Sequence, residues 1–537
     1  MFKAIPACAT PRKFMAFLMA LTIGLGPSAA PAWAASNTNT PIQHLVVIFQ
    51  ENVSFDHYFG TYPTATNPAG EPKFKARLGT PTVNGYTSAL LSSNPNLNPG
   101  NGTGAANPFR LDRTQSVTAD QDHDYLAEQQ AFDAGLMDLF PEFTGTAGPP
   151  PAGGGVTSTN GLVMGYFDGN TVTGLWNYAQ HFAMSDNSYG TTFGPSTPGV
   201  LNLISGQTNG VIAALNGTAD EVDGGNGSLS VVGDPDPLGD ICSNSTRNQV
   251  RMGGKNIGDL LTAAGVSWGG FMGGFDLKTV NPNGTTGCSR SSAGLAGTTG
   301  DYIPHHAFFN YWQSTSNPNH VRPASVAEIG HDGKANHNYD VNDFFKAVKA
   351  GNFPAVSFIK APAYQDGHAG YSDPLDEQTF ITKLVNFLEE QPSWSSTVVV
   401  IMYDDSDGWY DHQMGPIVNQ STGPADALTG PNACGTGVLA LPGIDAGNPH
   451  ALGRCGYGPR LPLLVISPWA KENFVDHSVT DQSSVIRFVE DNWLNGQRVG
   501  QGSFDSLANS ITQMFDFTQI RSNGIVILSP NSGEQIP

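Results

Sequence analysis

The sequence predicts an α/β protein with a mostly parallel central sheet, flanked by helices and interrupted by Gly/Pro-rich loop insertions. Three observations predict it. Short runs of Val, Ile, Leu and Phe alternate with segments whose apolar residues recur every three or four positions. The apolar runs are nearly continuous, as strands covered on both faces require. With 64 Gly and 38 Pro in 537 residues, much of the remaining chain must be loop.

The expected strands are 44–49, 266–271, 355–359, 397–403 and 461–467, each apolar and bounded by turn residues. The expected helices are 124–140, 257–264, 341–350, 377–391 and 483–494. Asn256 stands where an N-cap belongs and Gly265 where the chain must leave the helix. Segments 63–107, 145–160, 216–245 and 281–300 read as surface insertions on one core, because they are rich in Gly, Pro and Asn. The last residues, 521–537, read as a loosely held tail.

Residues 1–35 read as a signal peptide. Lys3, Arg12 and Lys13 precede an apolar run, 14–25, that is too short to span a bilayer. Ala32-Trp33-Ala34 has the small residues a signal peptidase needs, so cleavage is expected at Ala34 or Ala35. The mature chain, 36–520 plus the tail, contains no further apolar stretch long enough to cross a membrane. Its expected location is outside the cytosol, periplasmic or secreted. Cys242, Cys288, Cys434 and Cys455 remain after cleavage, none in the C-x-x-C spacing of zinc ligands. Sequence proximity pairs Cys242 with Cys288 and Cys434 with Cys455 as disulfides.

A formal net charge of −21 argues against nucleic acid as a partner, since phosphate backbones select clustered Lys and Arg. It does not exclude a phosphate-bearing small molecule, because a bound cation reverses the local field. Two strands end in oxygen donors. Glu51 and Asn52 follow 44–49, and Asp404 and Asp405 follow 397–403. Ligands of open parallel sheets bind beyond the carboxyl ends of strands, and adjacent carboxylates repel unless a cation separates them. A capped turn is the competing reading for the first pair. An EF-hand fails for the second, since it would place Tyr403 and Met414 at the first and last ligand positions.

Ser196 follows a Phe193-Gly194-Pro195 turn at the mouth of an expected helix, where free amides attract a phosphoryl group. A simple N-cap is the alternative role. The G-x-S-x-G elbow of serine esterases is absent, because Pro198 replaces the last glycine. Histidine can hold a phosphoryl oxygen or protonate a leaving alkoxide. The chain has 13, and His123, His305, His306 and His368 lie in segments with such potential, whereas His44, His57, His331 and His337 read as structural.

Taken in order, 50–60, Asp122-His123 with Glu128-Gln129, Met164-Gly165-Tyr166, 366–371, 404–412 and Gly458-Pro459-Arg460 resemble the bacterial phosphoesterase family. That family contains phospholipases C and an acid phosphatase branch on an alkaline-phosphatase-like core. The resemblance implies one divalent metal ion, of unknown identity, held by Glu51, Asn52, Ser196, Asp404 and Asp405. It implies Ser196 as nucleophile and His123, His305, His306 and His368 around the phosphoryl group. Val53 and Asp405 replace the family's frequent Arg and Glu, and 481–484 lacks its usual histidine, which leaves the role of His477 open.

The implied activity is hydrolysis of phosphate esters through a phosphoserine. The serine version of the nucleophile turn resembles the acid phosphatase branch, with a phosphatidylcholine-type phospholipase C as the alternative. A non-enzymatic, calcium-stabilised binding protein is the reading from another class. A sulfatase is excluded, because Ser196-Thr197-Pro198-Gly199-Val200 lacks the required arginine.

Overall fold

The computed structural model describes residues 38–148, 159–423, 425–428, 434, 451–521 and 524–536. The signal segment and its cleavage point lie outside these residues, as does most of the insertion expected at 145–160.

Eight strands form the central sheet: β1 (His44–Gln50), β2 (Ala183–Ser185), β3 (Trp268–Met272), β4 (Asn338–Asp340), β5 (Val356–Lys360), β6 (Thr397–Tyr403), β7 (Leu463–Ile466) and β8 (Phe474–Asp476). Their spatial order is β4-β3-β5-β1-β6-β7-β2-β8. Only β7 runs antiparallel to its neighbours, so the sheet is mostly parallel. β1, β5 and β6 are almost wholly buried, as their continuous apolar runs require. The expected strands are all present with boundary shifts of one or two residues, while β2, β4 and β8, three residues each, carry too little pattern to be read from sequence.

The principal helices are α1 (Tyr125–Phe132), α2 (Thr173–His181), α3 (Ser196–Ser205), α4 (Ile257–Ala263), α5 (Val341–Lys349), α6 (Pro374–Glu389) and α7 (Ser483–Trp493). Asn256 caps α4 by accepting from the Gly258 and Asp259 N–H groups, while Asp259 accepts from the Asn256 N–H. The helix expected over 124–140 is corrected: α1 ends at Phe132 because Asp133 and Ala134 adopt left-handed φ angles of 41° and 53°. The insertion 216–245 is also more ordered than expected. It contributes strands to a five-stranded sheet with Asn209–Leu215 and Gln249–Met252.

The loose tail is a further correction. Val526 and Leu528 are buried, and their N–H groups donate to Glu389 Oε1 at 3.0 Å and Asn386 Oδ1 at 3.1 Å on α6. Disulfides join Cys242 to Cys288 and Cys434 to Cys455, the pairs that sequence proximity suggests. Among the described residues no helix is long and apolar enough to cross a membrane.

One buried carboxyl links α6 to the sheet. Glu377 accepts from Tyr58 Oη at 2.8 Å and from Tyr403 Oη at 2.6 Å, and burial pushes its pKa from 4.5 up to about 8. The folded state therefore binds this proton more tightly than the unfolded chain. Its contribution is full below about pH 4.5 and is lost as pH rises through about 8. Urea midpoints measured across that window should fall with pH, and Glu377→Gln should flatten the slope, by roughly a few kcal/mol over the range.

Candidate active site

Strand register builds the site. β1 and β6 pair in parallel from His44↔Thr397 to Gln50↔Tyr403, so the next residues, Glu51 and Asp404, leave the sheet side by side. On the other flank β5 pairs with β1 through Ile48↔Ile359, and its last residue is Lys360. Three neighbouring strands thus deliver two carboxylates and a lysine to one point at the carboxyl edge.

Ser196 arrives from the opposite side. Pro195, not Ser196, is the N-cap of α3, so the serine hydroxyl is free of capping duty. Its Oγ donates to Glu51 Oε2 at 3.1 Å and Asp405 Oδ2 at 3.2 Å. Two glycines permit the approach. Gly194 takes φ 110° in the turn before the serine. A Cβ on Gly199 would lie 2.3 Å from the Asp404 carbonyl oxygen, so only glycine lets α3 rest on the end of β6.

Asn52, with φ 38°, turns its amide into the same cluster. Its oxygen faces Glu51 Oε2, Asp404 Oδ1 and Asp405 Oδ2; with the amide turned over, its NH2 would donate to them at 2.8, 2.9 and 3.2 Å and its oxygen would accept from His368 Nε2 at 3.0 Å. Three buried carboxylates thus converge on one group. Burial and the charge of Glu51 push the Asp404 carboxyl pKa up, and burial, with Asp404 adding to it, raises that of Asp405 to about 8 against the pull of His123.

Such a set suits a hard divalent cation. The Asn52 oxygen points at the three carboxylates, an arrangement that a cation between them makes favourable. With the Ser196 hydroxyl, the donors are then all oxygen, the chemistry of calcium, magnesium or manganese sites.

The four histidines surround this cluster. His306 Nδ1 lies 3.1 Å from Glu51 Oε1, its Nε2 is buried without a hydrogen-bond partner, and burial, with His305 and Lys360 nearby, lowers its pKa well below the ordinary range. The His305 ring is 4.5 Å from that of His306, centroid to centroid, and its carbonyl accepts from Tyr311 Oη at 3.0 Å. His123 and His368 form a second pair at 5.9 Å. Burial lowers His368. Burial also opposes charge on His123, but Asp405, Asp407 and Asp120 outweigh it and raise its pKa well above the ordinary value. Those carboxylates favour the protonated form of His123. His44, His57 and His337, expected to be structural, each place Nδ1 against a backbone carbonyl, of Pro354, Gly165 and Trp268.

With the geometry in view, comparison with known proteins places the chain. The sequence model of the Phosphoesterase family matches residues 42–494. The chain belongs to the Phosphoesterase family. Similar curated proteins include a non-hemolytic phospholipase C of Pseudomonas aeruginosa, 24% identical over 86% of this chain and 55% of that protein. Phospholipase C A of Mycobacterium tuberculosis is 25% identical over 88% of this chain and 77% of that one. The chain thus spans little more than half the length of the Pseudomonas protein. Among solved structures, an alkaline phosphatase superfamily protein from Vibrio parahaemolyticus is similar at TM-score 0.26 and 13% identity, covering 60% of each chain. Murine ectonucleotide pyrophosphatase/phosphodiesterase 5 gives TM-score 0.30 and 11% identity over 64% of this chain and 95% of that one.

Several supporting residues of this phosphoesterase-family site escape a sequence reading. Lys360 Nζ bonds Asp404 Oδ2 at 2.8 Å and pairs with Glu51 Oε1. Its only signal is position, at the carboxyl end of a buried strand, level with the ends from which Glu51 and Asp404 emerge. Glu128 accepts from the Gly194 N–H at 2.9 Å and from Ser406 Oγ at 2.7 Å, which ties the serine turn to the Asp404–Asp405 loop. Gln482, in the 481–484 segment, donates to the Asp404 carbonyl at 2.6 Å and accepts from the Thr191 N–H at 3.2 Å. His477 lies apart, its Nδ1 2.8 Å from Asp186 and its side chain 69% exposed.

Gly199 gives the most direct test of this assembly. Gly199→Ala should cost about 1–3 kcal/mol through the forced displacement of α3 from β6. It should also shrink the rise in Tm that divalent cation gives the chelated protein, because Ser196 moves away from the carboxylates. Calorimetry with and without Mn2+ measures both.

Proposed function

We propose that this chain hydrolyses phosphate esters with Ser196 as nucleophile, beside a divalent cation held by Glu51, Asn52, Asp404 and Asp405. The observation that carries the reading is the buried Ser196 hydroxyl donating to Glu51 and Asp405 at 3.1 and 3.2 Å. Those carboxylates can take the serine proton as Oγ attacks phosphorus. When bound, the cation would lower the hydroxyl pKa of Ser196 and offset charge on a phosphoryl oxygen.

The rest of the reaction falls to side chains of this chain. The rings of His305, His306 and His368 hold the phosphoryl oxygens, while the Thr197 N–H at the start of α3 is engaged by Asp234 Oδ1 at 2.8 Å. His123, kept cationic by its acidic neighbours, protonates the departing alkoxide as the ester P–O bond breaks. The neutral His123 then accepts a proton from water, which attacks the phosphoserine and releases phosphate and Ser196. Glu128 keeps the serine turn in register with Asp405 and acts as a positioning residue.

Phosphomonoesters are the preferred substrates in this reading. A monoester dianion presents three terminal oxygens, and the site surrounds the serine with a cation site and four imidazoles. Phosphodiester cleavage is the second reading, favoured by the names of the similar proteins, phospholipases C. Export supports either one, and the two disulfides accord with an oxidising compartment.

Ser196→Ala should lower kcat by about three orders of magnitude or more. Acid quenching of the wild type during turnover should yield a phosphorylated peptide containing Ser196. Turnover by the alanine variant at wild-type rate would exclude the nucleophile. His123→Asn should slow alkyl phosphates by roughly 10²-fold or more, and p-nitrophenyl phosphate much less, because only the poor leaving group needs the proton. Equal losses on both would assign the acid elsewhere. The ratio of kcat/KM for p-nitrophenyl phosphate to that for p-nitrophenylphosphorylcholine should favour the monoester.

A further inference from the structure

Each of two site carboxylates divides its oxygens between two tasks. The inner oxygens, Glu51 Oε2 and Asp404 Oδ1, face the Asn52 amide, and Glu51 Oε2 also receives the Ser196 hydroxyl. The outer oxygens, Glu51 Oε1 and Asp404 Oδ2, both face Lys360 Nζ. Lys360 is 1% exposed in its side chain, and its ammonium lies 5.1 Å from the Phe49 ring centroid. Among the described residues it is the one lysine or arginine in ion-pair contact with either carboxylate.

The space around those outer oxygens has the makings of a second cation site. Glu51, His306 and Asp366 bring ligand atoms to within 4.8 Å of one another there, and Asp404 Oδ2 bonds Lys360 Nζ at 2.8 Å. Asp366 is fixed by accepting from the His368 N–H at 3.1 Å and from Tyr371 Oη at 3.3 Å.

We propose that Lys360 is the resident second cation of this centre. It holds Glu51 and Asp404 with their inner oxygens turned to Ser196, and it restricts the site to a single divalent ion. The inference rests on the metal-binding reading given above. Charge agrees with it. Glu51, Asp404, Asp405 and Asp366 bring four carboxylates, which Lys360, His123 in its cationic form and one divalent ion would balance, whereas a second divalent ion beside the ammonium would leave an excess of positive charge in a buried volume. With its ammonium engaged by two carboxylates, Lys360 does not reach substrate. It is a positioning residue.

Removing the ammonium should therefore admit a metal ion in its place. The full chain and its Lys360→Met and Lys360→Gln variants are stripped with chelator and loaded with Mn2+. They are then desalted and assayed for metal by mass spectrometry and for Tm by calorimetry. Methionine keeps the side-chain length without charge, and glutamine keeps a hydrogen-bond donor. The wild type should carry about one equivalent and each variant about two. In chelator the variants should melt several degrees below the wild type, and Mn2+ should recover most of that deficit.

Variants that carry one equivalent and gain no more Tm from Mn2+ than the wild type would overturn the role of Lys360. A wild type that carries no Mn2+ would instead overturn the metal-binding reading itself. Should a variant fail to fold in chelator, recovery of folded protein only when Mn2+ is present throughout purification would support the proposal. Absence of folded protein from both variants in Mn2+ would contradict it.

Discussion

Three negative charges brought together in a buried volume are the constraint on which the rest of this structure depends. Glu51, Asp404 and Asp405 are each essentially inaccessible to solvent, and burial favours protonation of Asp404 and Asp405. The chain answers with Lys360 on the outer oxygens, His123 beside Asp405 with its protonated form favoured, and an inner face of oxygen donors that suits a divalent ion. The parallel register of β5, β1 and β6 makes this arrangement possible, since it ends three neighbouring strands at one level.

The helix side of the site obeys a different requirement, close approach. Ser196 meets the carboxylates because α3 lies directly on the Asp404 backbone, a contact that admits no side chain at Gly199. Glu128 then spans from the serine turn to Ser406, and Gln482 clips the Asp404 carbonyl to Thr191. Ser196 and the acidic loop are thereby fixed to each other through hydrogen bonds that do not involve the Ser196 hydroxyl. Preorganisation of this kind is what a phosphoryl-transfer site requires, because such chemistry depends more on placement and electrostatics than on covalent assistance.

Much of this was legible in the sequence, and the remainder was hidden for physical reasons. β1, β5 and β6 announce themselves by unbroken apolar runs, and Glu51 and Asp404 by following them at once. Lys360 closes β5 at the same level, yet a lysine at the end of a strand ordinarily marks a surface. Only the strand order, with β5 beside β1, reveals its partners. The break at Asp133 and Ala134 is invisible to periodicity, because the apolar spacing continues through left-handed residues. The tail lacks a strong pattern because its order comes from Asn386 and Glu389 on α6, side chains that clip its backbone.

The account stands or falls on the cation's position. Anomalous diffraction from crystals grown with Mn2+ and phosphate would locate it directly. The account predicts one peak bounded by Glu51, Asn52, Ser196, Asp404 and Asp405, with Lys360 on the outer oxygens and phosphate beside His123, His305, His306 and His368. A peak elsewhere, for instance at the cluster of Asp56, Asp411 and His412, with the Ser196 surroundings free of metal, would contradict it.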